Sequence, residues 1–366
     1  MTLRSLQCLV AGLFFTTSVW AQLPNPTLTE VFPPGAAVGA SQTVTVTGRD
    51  LDEGSQLLFS HPGIIGHVRT NNPGEFDSTP TPIQNQFDVV VSENVPPGRY
   101  EVRVVGRFGA STPRAFFVEA EPALLPPGQN HSMDSANELT PNRVIYGRAD
   151  ANVVDYYRFD AKQGQAFSVE CVTRSMDSRL QPIVTIFDEQ GRQMRRSRVT
   201  VDPVIEFVAP VDGTYFVGVH DHVYAGGAEY LYRLDVRSQP YVAFVVPPVA
   251  QPGQSSTFEL VGLNLPGGTE SDYQLDGIKL QKRQVRVYVP EVVSLDAVVH
   301  GGETRTHGIQ HFPFQWDSEE GNANIARIGL ADNPIVMEQD ENNTPAQAQS
   351  IQVPAEVVGQ FYPRRD

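Results

Sequence analysis

The stretch from Val144 to Val172, VIYGRADANVVDYYRFDAKQGQAFSVECV, decides the fold that the sequence predicts. Its apolar residues alternate with polar ones at Tyr157, Phe159, Phe167, Val169 and Cys171. A period of two is typical of β-strands, and Gly164 between the two runs favours a turn. We therefore predict two strands joined by a turn, in an antiparallel sheet that buries one face.

A family resemblance accompanies this pattern. The order of a glycine, a short polar bend, DYYRFDA and GQAFSV resembles the bacterial pre-peptidase C-terminal domain, a jelly-roll-like β-sandwich appended to many secreted bacterial proteins. Further matches follow at 183–187 with the turn DEQG, at DGTYFVGV (212–219), and at 230–236. The resemblance covers roughly residues 127–237 and implies a pre-peptidase-like sandwich at 124–238.

Residues 22–120 predict a second kind of sandwich. Short alternating runs are separated by a Pro-Pro-Gly turn and a Gly-Ala-Ser-Thr-Pro loop, and they contain Val89, Val91, Tyr100, Val102, Val104, Phe116 and Val118. The rhythm PxxG, VxVxGxxL and PxGxYxVxV resembles immunoglobulin-like domains of the plexin and transcription-factor (IPT/TIG) kind.

Two internal repeats organise the chain. Pro33, Gly39, Ser41, Gly48 and Leu51 recur 214 positions later, which predicts a second immunoglobulin-like domain at 239–333. Asn130, Ala136, Leu139 and Gly147 correspond, 212 positions later, to Asn342, Ala348, Ile351 and Gly359. Residues 334–366 therefore predict the start of an incomplete second pre-peptidase-like domain. Because an incomplete sandwich leaves an open edge, we expect the sequence to be a fragment of a longer gene product.

Composition and the first residues indicate export. Residues 1–21 have a basic start, a short apolar core and a small-residue cleavage point, which is typical of a signal peptide. No later apolar run has the length to span a bilayer. The formal net charge of −15 disfavours nucleic acid and anionic membranes as partners. We therefore predict a secreted, periplasmic or cell-surface protein.

The sequence predicts no catalytic residue and no organic cofactor. It contains no GxSxG elbow, no HExxH pair, no phosphate loop and no dinucleotide fingerprint. Of the two cysteines, Cys8 leaves with the signal peptide, and Cys171 is predicted to be a buried small hydrophobe.

Histidines and tyrosines offer two further candidate groups. His220 and His222 would share one side of a strand and could reach a zinc ion, but the alternative of exposed loop histidines is favoured because no third ligand can be named. His300, His307 and His311 form a sparse cluster among glycines. Tyr224, Tyr230 and Tyr232 suit a stacking platform, although filling a half-wet sheet face is the commoner role for such tyrosines.

Calcium is the ion candidate. Some relatives of the resembled fold bind calcium through acidic and asparagine residues at the domain entrance, and hard oxygen ligands on a flexible loop suit that ion. The second copy offers Glu338, Asp340, Glu341 and Asn342. In the first copy Gly128 takes the place of the acid, which leaves Asn130 and Asp134. Asp150 and Asp155 could face an ion, but a turn-stabilising aspartate is the commoner role.

The predicted fold is all-β: tandem β-sandwiches, immunoglobulin-like and jelly-roll-like, after a signal peptide. The predicted function is a secreted, non-catalytic binding, adhesion or spacer protein whose partners are extracellular proteins or polysaccharides. Two alternatives stay open. One is the accessory region of a secreted peptidase whose catalytic domain is absent from this chain, and the other is a calcium-dependent binder of matrix or polysaccharide.

Overall fold

The structure is a computed structural model that describes residues 24–71, 79–291, 311–339, 342 and 344–359. Within those ranges the chain is almost entirely strand and turn. The helical elements there are single turns of 3-10 helix, at Met133–Ser135, Arg174–Met176 and Pro345–Gln347. The all-β prediction is therefore confirmed. The predicted signal peptide at 1–21 lies outside the described residues.

The first sandwich, residues 27–119, is one nine-stranded sheet that curls around a single apolar core. Its strands are β1 Thr27–Phe32, β2 Gly35–Ala37, β3 Ser41–Arg49, β4 Gln56–Phe59, β5 Ile64–Thr70, β6 Pro82–Val91, β7 Gly98–Gly106, β8 Gly109–Ala110 and β9 Arg114–Glu119. The order is β1-β3-β6-β5-β4-β7-β9-β2, with β8 paired to β7. A continuous sheet can enclose one core only by bending over it, since each strand turns alternate side chains to one face.

The middle sandwich, residues 124–237, has two facing sheets. Its strands are β10 Asn137–Glu138, β11 Val144–Arg148, β12 Asp155–Ala161, β13 Ala166–Val172, β14 Pro182–Asp188, β15 Gln193–Arg196, β16 Val204–Val208, β17 Gly213–Asp221 and β18 Leu231–Arg237. One sheet has the order β10-β12-β17-β14-β15 and the other β11-β18-β13-β16. The core between them contains Tyr157, Phe159, Phe167, Val169 and Cys171, as the alternation predicts.

One detail of the prediction for this region is wrong. The strands β12 and β13 do not pair with each other, because β12 belongs to the five-stranded sheet and β13 to the four-stranded one. Gly164, with a φ of 80°, lies in the turn that carries the chain across the core from one sheet to the other. Strands in facing sheets bury the same alternating residues as a hairpin would, so the pattern alone could not separate the two arrangements.

The third sandwich, residues 241–330, also has two sheets. Its strands are β19 Tyr241–Val246, β20 Val249–Ala250, β21 Ser255–Leu263, β22 Thr269–Leu275, β23 Ile278–Tyr288, β24 His311–Ser318 and β25 Gly321–Leu330. The orders are β19-β21-β23-β22 and β20-β25-β24. Phe258 and Leu260 on the first sheet pack with Phe312 and Ile328 on the second. After it, β26 Ile335–Met337 and β27 Glu356–Val358 form a parallel pair.

The 214-residue repeat is visible in the backbone. β1 pairs with β3 through a register shift between Leu28 and Glu30, and β19 pairs with β21 through the equivalent shift between Val242 and Phe244. β2 runs parallel to β9, as β20 runs parallel to β25. These shared irregularities support the predicted second immunoglobulin-like domain, whose boundaries stay a prediction.

The 212-residue repeat is preserved in the same way. The 3-10 helix Met133–Ser135 has its counterpart in Pro345–Gln347, and the residues after them, Ala136 and Ala348, have nearly identical dihedral angles. The parallel bridge from Leu124 to Ile145 recurs as the pairing of Val336 with Val357 in β26 and β27.

The first and middle sandwiches meet in a buried polar junction. The Arg233 guanidinium donates hydrogen bonds from Nε and Nη2 to the two carboxylate oxygens of Glu119, at 2.8 and 3.1 Å. The Tyr146 hydroxyl donates to the same carboxylate at 2.7 Å. Arg148 pairs with Glu30 and lies over the Phe32 ring, 4.6 Å from its centroid. Since these groups come from both sandwiches, the junction fixes their relative orientation.

Hydrogen bonds also join the middle and third sandwiches. The Asn264 side-chain amide donates to the carbonyls of Ala166 and Ser238, at 2.9 and 3.0 Å. Arg195 donates to the Asp276 carbonyl at 2.8 Å. These contacts join the end of β21 and the β22–β23 turn to the middle sandwich.

Candidate ligand-binding site

The predicted calcium residues of the second copy are only partly described. The Asn342 side-chain amide donates to Glu338 Oε1 at 3.1 Å, so these two residues lie together as the prediction requires. Asp340 and Glu341 lie outside the described residues. The calcium site therefore stays a prediction.

The first-copy residues have structural partners. Asn130 is buried, its side-chain amide donates to the Tyr156 carbonyl at 2.9 Å, and its own carbonyl accepts from the Tyr156 N–H. Asp134 is exposed on the short helix Met133–Ser135, which Ser132 caps. Across the described ranges, no three His, Cys, Asp or Glu side chains are arranged to hold a metal ion.

Asp155 anchors a polar network that sequence reasoning missed. It begins β12 and is buried, with its Oδ2 accepting a 2.7 Å hydrogen bond from the Tyr232 hydroxyl. The Tyr232 and Tyr157 hydroxyls lie 2.6 Å apart. His131 Nε2 is 3.5 Å from both Asp155 Oδ1 and Asp150 Oδ2. Burial raises the pKa of Asp155 from its ordinary value of 3.8 to about 6.

His220 and His222 lie in different environments. His220 lies inside β17, is buried, and stacks on the Tyr224 ring with the centroids 4.4 Å apart. The interpretation of His220 as an exposed loop residue is therefore wrong. His222 follows the strand, and its Nδ1 lies 3.8 Å from the Asp221 Oδ1 atom. Because β17 ends at Asp221, the strand geometry that would place both histidines on one side of a metal ion does not extend to His222.

The candidate tyrosines also differ from each other in how far they are buried. Tyr232 is fully buried in the core, so it takes no part in a stacking platform, whereas Tyr224 is exposed and Tyr230 is half-buried. Cys171 is buried as predicted, and burial raises the pKa of its thiol. His311 begins β24, and His300 and His307 lie outside the described residues.

A cavity of about 640 Å³, which we call the loop-end cavity, opens at one end of the middle sandwich. Three segments line it: the one after β13, the one between β15 and β16, and the one between β17 and β18. Its polar lining includes Arg174, Arg179 and His222. Three of its valines are strongly exposed, Val199 and Val201 at 62% and Val223 at 66%.

Two aspartates hold the segments around this cavity. The Asp202 carboxylate accepts from the backbone N–H groups of Thr173, Arg174 and Ser175, and from the hydroxyls of Thr173 and Ser175. The Asp221 carboxylate accepts from the N–H groups of Gln181, Val223 and Ala225. These hydrogen bonds therefore order the walls of the cavity independently of any ligand.

Comparison with known proteins finds solved structures of low sequence identity and low TM-score. No family model and no curated protein matches the chain. The pre-peptidase C-terminal domain of a collagenase from Bacillus anthracis is 15% identical, covers 32% of this chain and all of that domain, and has a TM-score of 0.24. PliG from Aeromonas hydrophila, a periplasmic inhibitor of g-type lysozyme, is 14% identical over 28% of this chain and 96% of its own, with a TM-score of 0.23.

A third structure, SGBP-B of a Bacteroides ovatus mixed-linkage glucan utilization locus, was solved with a mixed-linkage heptasaccharide. It is 10% identical over 53% of this chain and 74% of its own, with a TM-score of 0.20. At these identities no residue role transfers to this chain. Within its described residues, no helix combines the length and the apolar character needed to cross a membrane.

Proposed function

We propose that the chain is an exported, non-catalytic binding protein whose middle sandwich holds an extracellular protein or polysaccharide at the loop-end cavity. The first and third sandwiches act as rigid spacers on either side. Calcium binding at the entrance of the second pre-peptidase-like copy is a separate part of the proposal, supported by the contact between Glu338 and Asn342.

The observation that carries the proposal is the exposure of Val199, Val201 and Val223 on segments that are already ordered. Exposed apolar side chains clustered at one cavity are typical of interaction sites. The hydrogen bonds to Asp202 and Asp221 hold these segments, so binding would lose less conformational entropy than it would on loose loops.

The spacer role follows from the buried junction. Glu119 is buried and Arg233 is half-buried where the first and middle sandwiches meet, and their hydrogen bonds fix the angle between the two. A rigid arrangement keeps the loop-end cavity at a constant distance and direction from the rest of the chain. Such geometry suits a protein that displays a binding surface.

The test is retention on immobilised polymers. Purified chain is passed over collagen and over cellulose, chitin and peptidoglycan, and the triple variant V199S/V201S/V223S is compared with V211S. Val211 is a matched control because it is 58% exposed but precedes β17, at the opposite end of the sheet. Full burial of one valine stabilises a complex by about 1.5 kcal/mol, so the triple variant should lose at least about tenfold in affinity even if the ligand buries only one of the three.

Two outcomes would overturn the proposal. Equal loss of retention in V211S and in the triple variant would remove the loop-end cavity as the site. Release of soluble fragments from a bound polymer, at a rate proportional to the concentration of chain, would contradict the non-catalytic role.

A further inference from the structure

The loop-end cavity presents hydrogen-bond donors on its charged side. Arg174, Arg179 and His222 line its wall. Among the described residues of that wall, the one carboxylate belongs to Asp221, whose side chain is only 3% exposed. The oxygens of Asp221 already accept hydrogen bonds from three backbone N–H groups. The charged groups that a ligand can reach in the cavity are therefore donors.

Arg174 is the donor that the protein itself leaves unpaired. It is exposed at the start of the 3-10 helix Arg174–Met176, and no carboxylate in the described part of the chain lies within ion-pair distance of its guanidinium. Its backbone, in contrast, is held in place, because its N–H donates to Asp202 Oδ1 at 2.8 Å. A guanidinium on an ordered backbone, with its fork of N–H groups available, suits a carboxylate that accepts two hydrogen bonds.

Positive charge is concentrated on this side of an acidic chain. Residues 174–198 contain six arginines against two aspartates and one glutamate, although the formal net charge of the chain is −15. Arg179 is 64% exposed, and its 3.3 Å pair with Glu229 contributes little in water. Charges farther away than about 8 Å are largely screened at physiological salt, so an acidic ligand at the cavity meets the local excess of arginine.

The exposed valines narrow the ligand class. A small inorganic anion would leave Val199, Val201 and Val223 in water. A sugar polymer would cover them with hydroxyls, and hydroxyls that lose water without gaining a partner weaken binding. Among the described lining residues, Tyr230 is the only Phe, Tyr or Trp, and it is half-buried, so the wall offers no broad aromatic face to a sugar ring. A ligand with apolar side chains next to a carboxylate matches both parts of the wall.

We propose that the ligand of the loop-end cavity is an acidic-apolar segment of an extracellular protein. A glutamate or aspartate carboxylate of that segment accepts hydrogen bonds from the Arg174 guanidinium, and the neighbouring apolar side chains pack on Val199, Val201 and Val223. This assignment rests on the proposed function, from which it selects protein rather than polysaccharide as the partner. The cavity volume of about 640 Å³ lies within the range of ligand sites and limits the buried part of the segment to a few residues.

Isothermal titration calorimetry on the full chain tests the proposal. The probes are capped peptides that alternate glutamate with leucine or valine, beside matched sets in which glutamine replaces glutamate or serine replaces the apolar residues. We expect saturable binding of acidic-apolar peptides, at least about tenfold tighter than of either matched set, because each replacement removes one of the two kinds of contact.

R174Q should weaken binding of the acidic-apolar peptides to the level of the glutamine set and leave the glutamine set unchanged, since it removes the charge that only the glutamate peptides use. The control is R158Q, because Arg158 is likewise exposed but lies on β12, outside the cavity. R158Q should bind every peptide as the unchanged chain does. Polygalacturonate and laurate are titrated as carboxylate ligands of other classes.

The proposal is wrong if no acidic-apolar peptide binds, if the glutamine set binds equally tightly, if R174Q and R158Q lose affinity equally, or if polygalacturonate or laurate binds more tightly. Its failure is distinguishable from failure of the proposed function. Polymer retention that still depends on the three valines, with R174Q binding the peptides like the unchanged chain, removes this ligand class and keeps the cavity as the site. Peptide binding that survives in V199S/V201S/V223S removes the cavity itself.

Discussion

The Tyr232 hydroxyl on β18 donates a 2.7 Å hydrogen bond to the buried carboxylate of Asp155 on β12, across the core of the middle sandwich. This bond links the two facing sheets, and the Tyr157 hydroxyl and the His131 ring lie next to it. It also leaves an ionisable group in the interior whose protonation is coupled to folding.

Asp155 should make the stability of the middle sandwich fall as pH rises. Burial raises its pKa from 3.8 to about 6, so the folded state holds a proton that the unfolded state releases between those values. Stability from this group is therefore complete below about pH 4 and is lost as pH rises through about 6. At pH 7.5, D155N should be more stable than the unchanged chain by up to about 3 kcal/mol.

Thermal unfolding at a series of pH values from 4 to 8 measures this effect. D160N is the control, since Asp160 is exposed and accepts from the Thr214 hydroxyl at the sheet surface. A difference between D155N and the unchanged chain that stays constant across the series would contradict the coupling.

Glu119 should contribute more than any other residue to the stability of the junction between the first and middle sandwiches. E119A removes the carboxylate that accepts both hydrogen bonds from the half-buried Arg233 guanidinium, and breaking a buried ion pair costs at most about 3–5 kcal/mol. We expect the variant to unfold at lower urea concentration and to scatter X-rays as a more extended molecule. E101A is the control, because Glu101 pairs with Arg103 at a half-exposed position where about 1 kcal/mol or less is expected. Equal effects from E119A and E101A would remove the special role of the junction.

Strand positions were predictable because their signal is local. The alternation at Phe167, Val169 and Cys171 depends only on neighbours in sequence, and all three are buried. Which sheet a strand joins was not predictable in the same way. Gly164 marks a turn, but a turn can lead to a paired strand or to the facing sheet, and the alternation on either side is the same.

The sites were harder to predict because their residues are distant in sequence. Asp155 has the local signature of a turn residue, and its partner Tyr232 lies 77 positions away. His220 became a strand residue because β17 continues to Asp221, beyond the apolar run that predicted it. The loop-end cavity combines Val199 and Val223 from separate segments, and no local pattern connects them.

The glycines at the 214-residue repeat should tolerate no side chain. A Cβ on Gly48 would collide with the Thr27 carbonyl, and one on Gly262 would collide with the equivalent carbonyl of Tyr241. Because backbone on the paired strand must move to relieve the collision, G48A and G262A should each destabilise their own sandwich by roughly 1–3 kcal/mol. Urea unfolding of each variant, beside G213A as control, checks this, since nothing lies near a Cβ on Gly213. A neutral effect at Gly262 with a large one at Gly48 would contradict the equivalence of the two copies.

Calcium should stabilise the last described segment if its predicted ligands bind the ion. Glu338 and Asn342 are already in contact, and a divalent cation would be coordinated by oxygens from this loop. Ligand binding to the folded state raises the midpoint of unfolding, so chelator should lower that midpoint in the unchanged chain and leave E338Q unaffected. E189Q, which changes a turn glutamate of the middle sandwich, should keep the response to chelator. An unchanged midpoint in chelator would count against the calcium site.

Asp202 should keep the segments around the loop-end cavity ordered before a ligand binds. Its carboxylate holds the segment at residues 173–175 through five hydrogen bonds, and Asp202 itself has a positive φ of 46° that these bonds maintain. D202A removes all five, so hydrogen exchange at the N–H groups of Arg174 and Ser175 should accelerate. Retention on the polymer that the unchanged chain binds should weaken as well, because binding must then order the segment.

D212A is the control: Asp212 accepts from Gln163 and Lys162 at the opposite end of the sandwich, and its loss should change exchange there alone. Faster exchange in D202A with undiminished retention would separate loop order from binding and would place the ligand elsewhere.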